Sequence, residues 1–160
     1  MYRKLYVLFV VVSLIFSACM HSTKSESTNT AVDKEVLYRQ ALTAEDSLSA
    51  KVLVISFMDA VKQGKYADAA TKLYVLNAEN PYKKPELLDN EGLEETIEMM
   101  KKIKPKSYEI KSMEFVTAVN NPTKCDIITI LPSNDTEVKL TWVLNPVNYM
   151  GKWMLCFATK

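Results

Sequence analysis

The chain has 160 residues, with 20 Lys and Arg against 19 Asp and Glu and a formal net charge of +1. That length supports one domain with its own core. The near-neutral balance and scattered basic residues exclude the clustered charge that a phosphate backbone requires, so no nucleic-acid partner is expected.

The first residues, Met1-Tyr2-Arg3-Lys4, lead into an apolar run from Leu5 to Phe16 and then Ser17-Ala18-Cys19. A basic start, an apolar centre shorter than the ~20 residues of a spanning helix, and small residues before a cysteine read as a secretory signal over residues 1–18. With its cysteine placed directly after Ser17-Ala18, this segment resembles the leader of bacterial lipoproteins, departing from the usual Leu only at Phe16. The resemblance implies thioether diacylation of Cys19, cleavage before it and acylation of its new amino group. Each buried methylene contributes ~0.8 kcal/mol, so several acyl chains make the membrane a lasting partner where one would hold marginally. Met20 rather than Asp favours the outer membrane, with the domain facing the periplasm or the cell surface. Loss of Arg3 and Lys4 turns the balance slightly acidic.

Residues 19–46 read as a tether. His21 to Thr30 is polar and has too little apolar surface to order itself, whereas Val32, Val36, Leu37 and Ala41 sit at helical spacing and predict a short helix over residues 31–42. The domain is expected over 47–160. Leu48, Val52, Ile55, Met58 and Val61 form one apolar stripe ending at Gly64, which predicts a helix. Tyr66, Ala69, Ala70, Leu73 and Leu76 predict a second, antiparallel to the first after a short turn. A third opens at Asn90, carries Glu91, Glu94 and Glu95 early and Lys101 and Lys102 late, and stops before Pro105.

From Ser107 the period changes to two. A bulge near Lys111-Ser112 reconciles Tyr108 and Ile110 with the opposite parity of Met113 and Phe115. Further strands are expected over 124–131, around Val138, Leu140, Trp142 and Leu144, and over 152–158, with turns at 132–135 and around Gly151. The expected fold is α+β, with three N-terminal helices packed on a curved four-stranded antiparallel sheet. Cys125 and Cys156 fall on separate strands flanking a third. That spacing favours two buried free thiols over a bridge limited to ~7 Å between Cα atoms.

Residues 57–69, Phe-Met-Asp-Ala-Val-Lys-Gln-Gly-Lys-Tyr-Ala-Asp-Ala, resemble the helix-turn-helix opening of nuclear transport factor 2-like domains. Met150-Gly151-Lys152-Trp153-Met154-Leu155 resembles their Gly-Lys-Trp turn and last strand. The resemblance implies a cone in which a bent sheet wraps a long helix and can leave a pocket at its open end. It also implies a fold shared by enzymes and binding modules alike, and frequent homodimers through the open sheet face.

The only histidine, His21, lies in the tether, which removes Ser-His and Cys-His nucleophile arrangements from the domain. Gly64, Gly92 and Gly151 are isolated, so no phosphate-cradling loop or dinucleotide fingerprint exists. Glu91, Glu94, Glu95 and Glu98 read as a solvated helix start rather than a metal site, and neither metal nor cofactor is expected. A pocket carboxylate with a phenol, drawn from Asp59, Asp68 or Asp126 with Tyr66, Tyr74 or Tyr108, is the one arrangement open to proton transfer, as in the ketosteroid isomerase branch. No catalytic residue is assigned. Phe57, Tyr66, Tyr74, Phe115, Trp142 and Trp153 are candidates for a pocket wall, with core packing as the competing role. The expectation is a membrane-anchored envelope lipoprotein that binds a small apolar ligand in a helix–sheet cleft or another envelope protein across its sheet. A small cofactor-independent isomerase, hydratase or hydrolase is the alternative.

Overall fold

The computed structural model describes residues 26–130 and 135–157, with side chains from Lys34 onward. The signal, Cys19, Met20, His21, the turn residues 132–134 and Ala158 lie outside the described residues. The chain divides into a unit ending at Leu37 and a unit running from Tyr38 to Lys160. The first unit is described only as the start of helix α1 (Glu26–Ala41), longer than the expected 31–42. Among the described residues no helix is long and apolar enough to cross a membrane.

Within the second unit, α2 (Ala44–Lys62) begins at Thr43, whose hydroxyl accepts from the Asp46 N–H at 3.0 Å while the Asp46 carboxylate accepts from the Thr43 N–H at 3.1 Å. This reciprocal box satisfies two of the donors that a helix start leaves open. The helix ends where Gly64 takes φ 73°, a left-handed conformation that favours glycine. Short helix α3 (Tyr66–Ala70) follows, then β1 (Leu73–Val75), β2 (Glu86–Leu87), α4 (Asn90–Ile103), β3 (Ser107–Met113), β4 (Thr123–Ile130), β5 (Glu137–Tyr149) and β6 (Lys152–Phe157).

The expected fold needs correction. The sheet has six strands in the order β2-β1-β6-β5-β4-β3 and is mixed, because β1 runs parallel to β6 with Leu73 opposite Leu155 and Tyr74 opposite Cys156. It is therefore not a four-stranded antiparallel sheet under three N-terminal helices, and α4 enters only after two strands. The second apolar stripe explains the difference. Its first half is helical, but the turn closes at Thr71, whose N–H and hydroxyl bond the carbonyls of Ala67 and Asp68. Tyr74 and Val75 favour a strand, and pairing them with β6 supplies main-chain partners along an apolar strand that would otherwise end the sheet.

The later strands follow their alternation. β3 shifts register between Ile110 and Ser112, the bulge that its parity change requires. β5 and β6 close through Met150-Gly151, with φ 51° and 83°, the mirror-image turn that suits a two-residue hairpin. α4 is capped by Asp89, whose carboxylate accepts from the Gly92 N–H at 2.8 Å, one residue before the expected Asn90. It stops at left-handed Lys104, and the Thr129 hydroxyl on β4 donates to the Ile103 carbonyl.

The core lies between α2 and one face of the sheet. Val54, Phe57, Met58 and Val61 pack against Cys125, Ile127, Leu144 and Leu155, with Met100 of α4 and Leu73 of β1 closing the sides. Phe57 is the largest of these and is fully buried. Leu48 and Val52, expected on the core stripe, are instead 61% and 54% exposed. Cys125 and Cys156 are both free and buried. Cys125 sits opposite Trp142 on the core face, whereas Cys156 sits opposite Asn145 on the other face. Successive strand residues point to opposite faces, so their sulfurs are aimed apart.

Candidate functional site

The interior is filled. Phe57, fully buried, meets the ring of Trp142 at 6.4 Å and the edge of Phe157 at 6.3 Å, and Trp142 stands edge-on to Phe157 at 6.3 Å. These separations are those of packed aromatic pairs and leave no room for a ligand among the three rings. The six wall candidates do not converge on one pocket. Trp142 lies opposite Cys125, and Trp153 lies opposite Asn148, six residues further along β5, or about 20 Å at strand rise. Trp153 packs edge-on against Phe115 at 5.8 Å. Its indole N–H donates to the Asp46 carboxylate at 3.4 Å, so the partner that this donor requires is supplied by the start of α2. Tyr66 packs against the core at the head of α3. Tyr74 lines a separate hollow with Pro85 and Met154, close to β2.

Accessible concavities lie outside this core: one on α4 lined by Glu94, Glu98, Met99 and Lys102, a smaller one by Leu42 and Phe115, the hollow at Tyr74, and two that flank α2. One of about 490 Å³ runs beside α3 and is lined by Ile55, Ser56, Asp59, Lys65, Asp68 and Lys72. The other, about 620 Å³, is bounded by Lys51, Ile55, Asp59 and Lys62 of α2 and by β3 from Tyr108 to Met113. Ile55 and Asp59 border both. Helical spacing places Lys51, Ile55, Asp59 and Lys62 on one stripe, at intervals of three and four residues. On the opposite wall every residue from Tyr108 to Met113 takes part. Alternate side chains of a strand point to opposite faces, so a groove lined by six consecutive residues runs along the strand's edge, and β3 is the last strand of the sheet.

Tyr108 and Asp59 join the two walls. The phenol donates to the Asp59 carboxylate at 2.7 Å. Burial, then the hydrogen bond to Asp59 and its negative charge, hold the Tyr108 pKa above the ordinary tyrosine range, so the phenol stays protonated at neutral pH. Of the acids and phenols that the sequence offers for proton transfer, this is the pair that the structure brings into contact. Asp68 borders the neighbouring groove. Asp126 lies on the other face of the sheet, where Lys139 pairs with it at 2.6 Å and the Thr141 hydroxyl donates at 2.8 Å. The Lys139 and Thr141 hydrogen bonds hold its carboxyl below the usual range. Among the described residues no cluster of His, Cys, Asp or Glu could hold a metal ion.

Chemically, the α2–β3 groove offers cations at both ends, Lys51 and Lys62, and an apolar middle of Ile55, Ile110 and Met113. Lys111 is paired with Glu109 at 3.2 Å. The groove is open, so water reaches the Asp59–Tyr108 pair and the low-dielectric enclosure that strengthens acid–base catalysis is lacking. Sequence reasoning missed the capping box and its link to Trp153. The signal was present in Thr43 followed three residues later by Asp46, a short variant of the familiar box. Comparison with protein-family models, with curated proteins and with solved structures returns no match for this chain.

Proposed function

We propose that the chain is an envelope lipoprotein, anchored through acyl chains on Cys19, whose folded part is a non-enzymatic binding or assembly module working through the α2–β3 groove. The observation that carries this reading is the filled interior. Phe57, Trp142 and Phe157 occupy the place where a helix–sheet cleft would open, and the concavities are on the surface. The resemblance to nuclear transport factor 2-like domains belongs to the same proposal. It is supported by residues 57–69 spanning the α2–α3 turn at left-handed Gly64, and by residues 150–155 forming the β5–β6 turn and the following strand. Across β3–β5 the sheet face opposite the core carries Glu109, Lys124, Asp126, Lys139 and Thr141. So much charge favours solvent there over a homodimer seam.

A photoreactive residue at Ser112, introduced in the chain's own host, tests the reading. It is expected to give one discrete adduct that a photoreactive residue at Glu98, which lines the α4 hollow and not the α2–β3 groove, does not give. Equal or absent adducts at the two positions would contradict it. The alternative, a small isomerase, hydratase or hydrolase, is favoured by one observation, the 2.7 Å contact of Tyr108 with Asp59. Asp59→Asn keeps the shape and removes the base. If catalysis is the function, this variant loses the host phenotype while its thermal midpoint stays within a few degrees of the parent; a binding module keeps the phenotype.

A further inference from the structure

We infer that the α2–β3 groove receives an extended, acidic peptide segment of another protein, laid along the edge of β3 with acidic side chains at Lys51 and Lys62. The inference rests on the groove reading above and gives its ligand class. The edge of β3 faces no other described strand, so its outer main-chain groups are available to an added strand, a common mode of peptide recognition. The charges select the segment. Lys51 and Lys62 have no hydrogen-bond or ion-pair partner among the described residues, whereas the groove's acids are engaged, Asp59 by Tyr108 and Glu109 by Lys111. Asp59 keeps its charge because its partner is a neutral phenol, so Lys51, Lys62 and Lys111 exceed Asp59 and Glu109 by one charge and the groove's net demand is for negative charge.

Spacing sets the geometry. Eleven residues separate the two lysines, three helical turns and about 16 Å, which an extended chain covers in about five residues. Between them on α2 lie Ile55 and Asp59, and Ile110 and Met113 of β3 line the same groove. Because alternate side chains of a strand point to opposite faces, the segment carries acidic residues about four or six positions apart, with an apolar or β-branched residue between on the same face. The bulge between Ile110 and Ser112 breaks the regular edge. It confines main-chain pairing to the stretch from Ser107 to Ile110, and together with Lys111 it disfavours pairing with a long flat strand such as the β3 of a second copy.

The test is a selection of displayed random octapeptides on the full chain in detergent, repeated on Lys51→Glu/Lys62→Glu and on the milder Lys51→Gln/Lys62→Gln. Circular dichroism confirms that each variant is folded. The expected result is enrichment of peptides with two acidic residues about four or six positions apart, on one face of the extended chain. Recovery should fall about tenfold on the Gln variant, basic residues should be enriched on the Glu variant, and a synthetic copy of the winning peptide should slow amide exchange at 107–110. Failure to enrich any sequence, enrichment indifferent to the charge changes, or protection away from β3 would overturn the inference, as would a β3-dependent dimer in sedimentation. If the Ser112 adduct forms while no acidic peptide is enriched, the groove reading stands and this inference alone falls.

Discussion

At the scale of single residues, two of the six side chains that the sequence offers as pocket walls, Phe57 and Trp142, fill the interior together with Phe157. An aromatic at alternating or helical spacing is read equally well as wall or as core, and only the contacts of Phe57 with Trp142 and Phe157 decide. Phe57→Ala is therefore expected to cost about 3–5 kcal/mol in denaturant unfolding; a cost under about 1 kcal/mol would place Phe57 on an open cavity. The Asp59–Tyr108 contact joins residues 49 apart in the chain. The sequence contained both partners but gave no reason to prefer them over the other acids and phenols, because the packing of α2 on β3 sets the pairing. The cysteines supply a pH test. Burial first, with the Asp126 charge adding to it, pushes Cys125 up to about 11, and burial pushes Cys156 up to about 12. Both folded values exceed the unfolded value, so the stability they contribute is complete below an unfolded pKa of about 8.5 and declines as pH rises through the folded values. The thermal midpoint should fall from about pH 9 upward, and Cys125→Ala/Cys156→Ala should move that decline to higher pH.

At the scale of elements, α2, α4 and the antiparallel β3–β6 run were legible because each spans enough residues for its period to show. β1 and β2 were not, since three and two residues carry no period, and Leu73 and Leu76 complete a helical stripe equally well. The parallel partner of β1 lies more than 80 residues away in β6, a pairing that local pattern cannot report. Tyr74→Pro, which places a ring in β1, is expected to speed amide exchange at Leu155 and Cys156, where a helix at 73–76 would leave those amides unaffected. The start of α2 is equally local and equally testable. Thr43→Ala removes the cap and should cost about 1 kcal/mol. It should also change Trp153 fluorescence, because Asp46, held by Thr43, accepts the indole N–H. Asp46 is kept below the ordinary carboxylate range by Thr43 first and also by Trp153. Its contribution is present above an unfolded pKa of about 3.9 and is lost as pH falls through the lower folded value, so the fluorescence change should appear in acid without any substitution.

At the scale of the whole molecule, one mixed sheet carries α2 on one face and leaves β3 at its end. The α+β order, the filled core and the two grooves beside α2 follow from the packing of Phe57, Leu144 and Leu155 and from the place of β3 at the end of the sheet. The lipid on Cys19 and the binding role are proposals, drawn from the leader and from where the concavities lie. Lys51 and Lys62 border the α2–β3 groove. Both are exposed and remote from the core, so reversing their charge should leave the thermal midpoint within a few degrees of the parent while abolishing the Ser112 adduct. The most direct test of the central claim, that this protein engages its partner outside a packed core, is amide hydrogen exchange of the chain in solubilised host envelopes compared with the purified chain. The account predicts added protection along β3, from Ser107 to Ile110, with β5 and β6 unchanged. Added protection confined to the strands around Trp142 and Phe157, with β3 unchanged, would place the ligand inside the helix–sheet interior and contradict it.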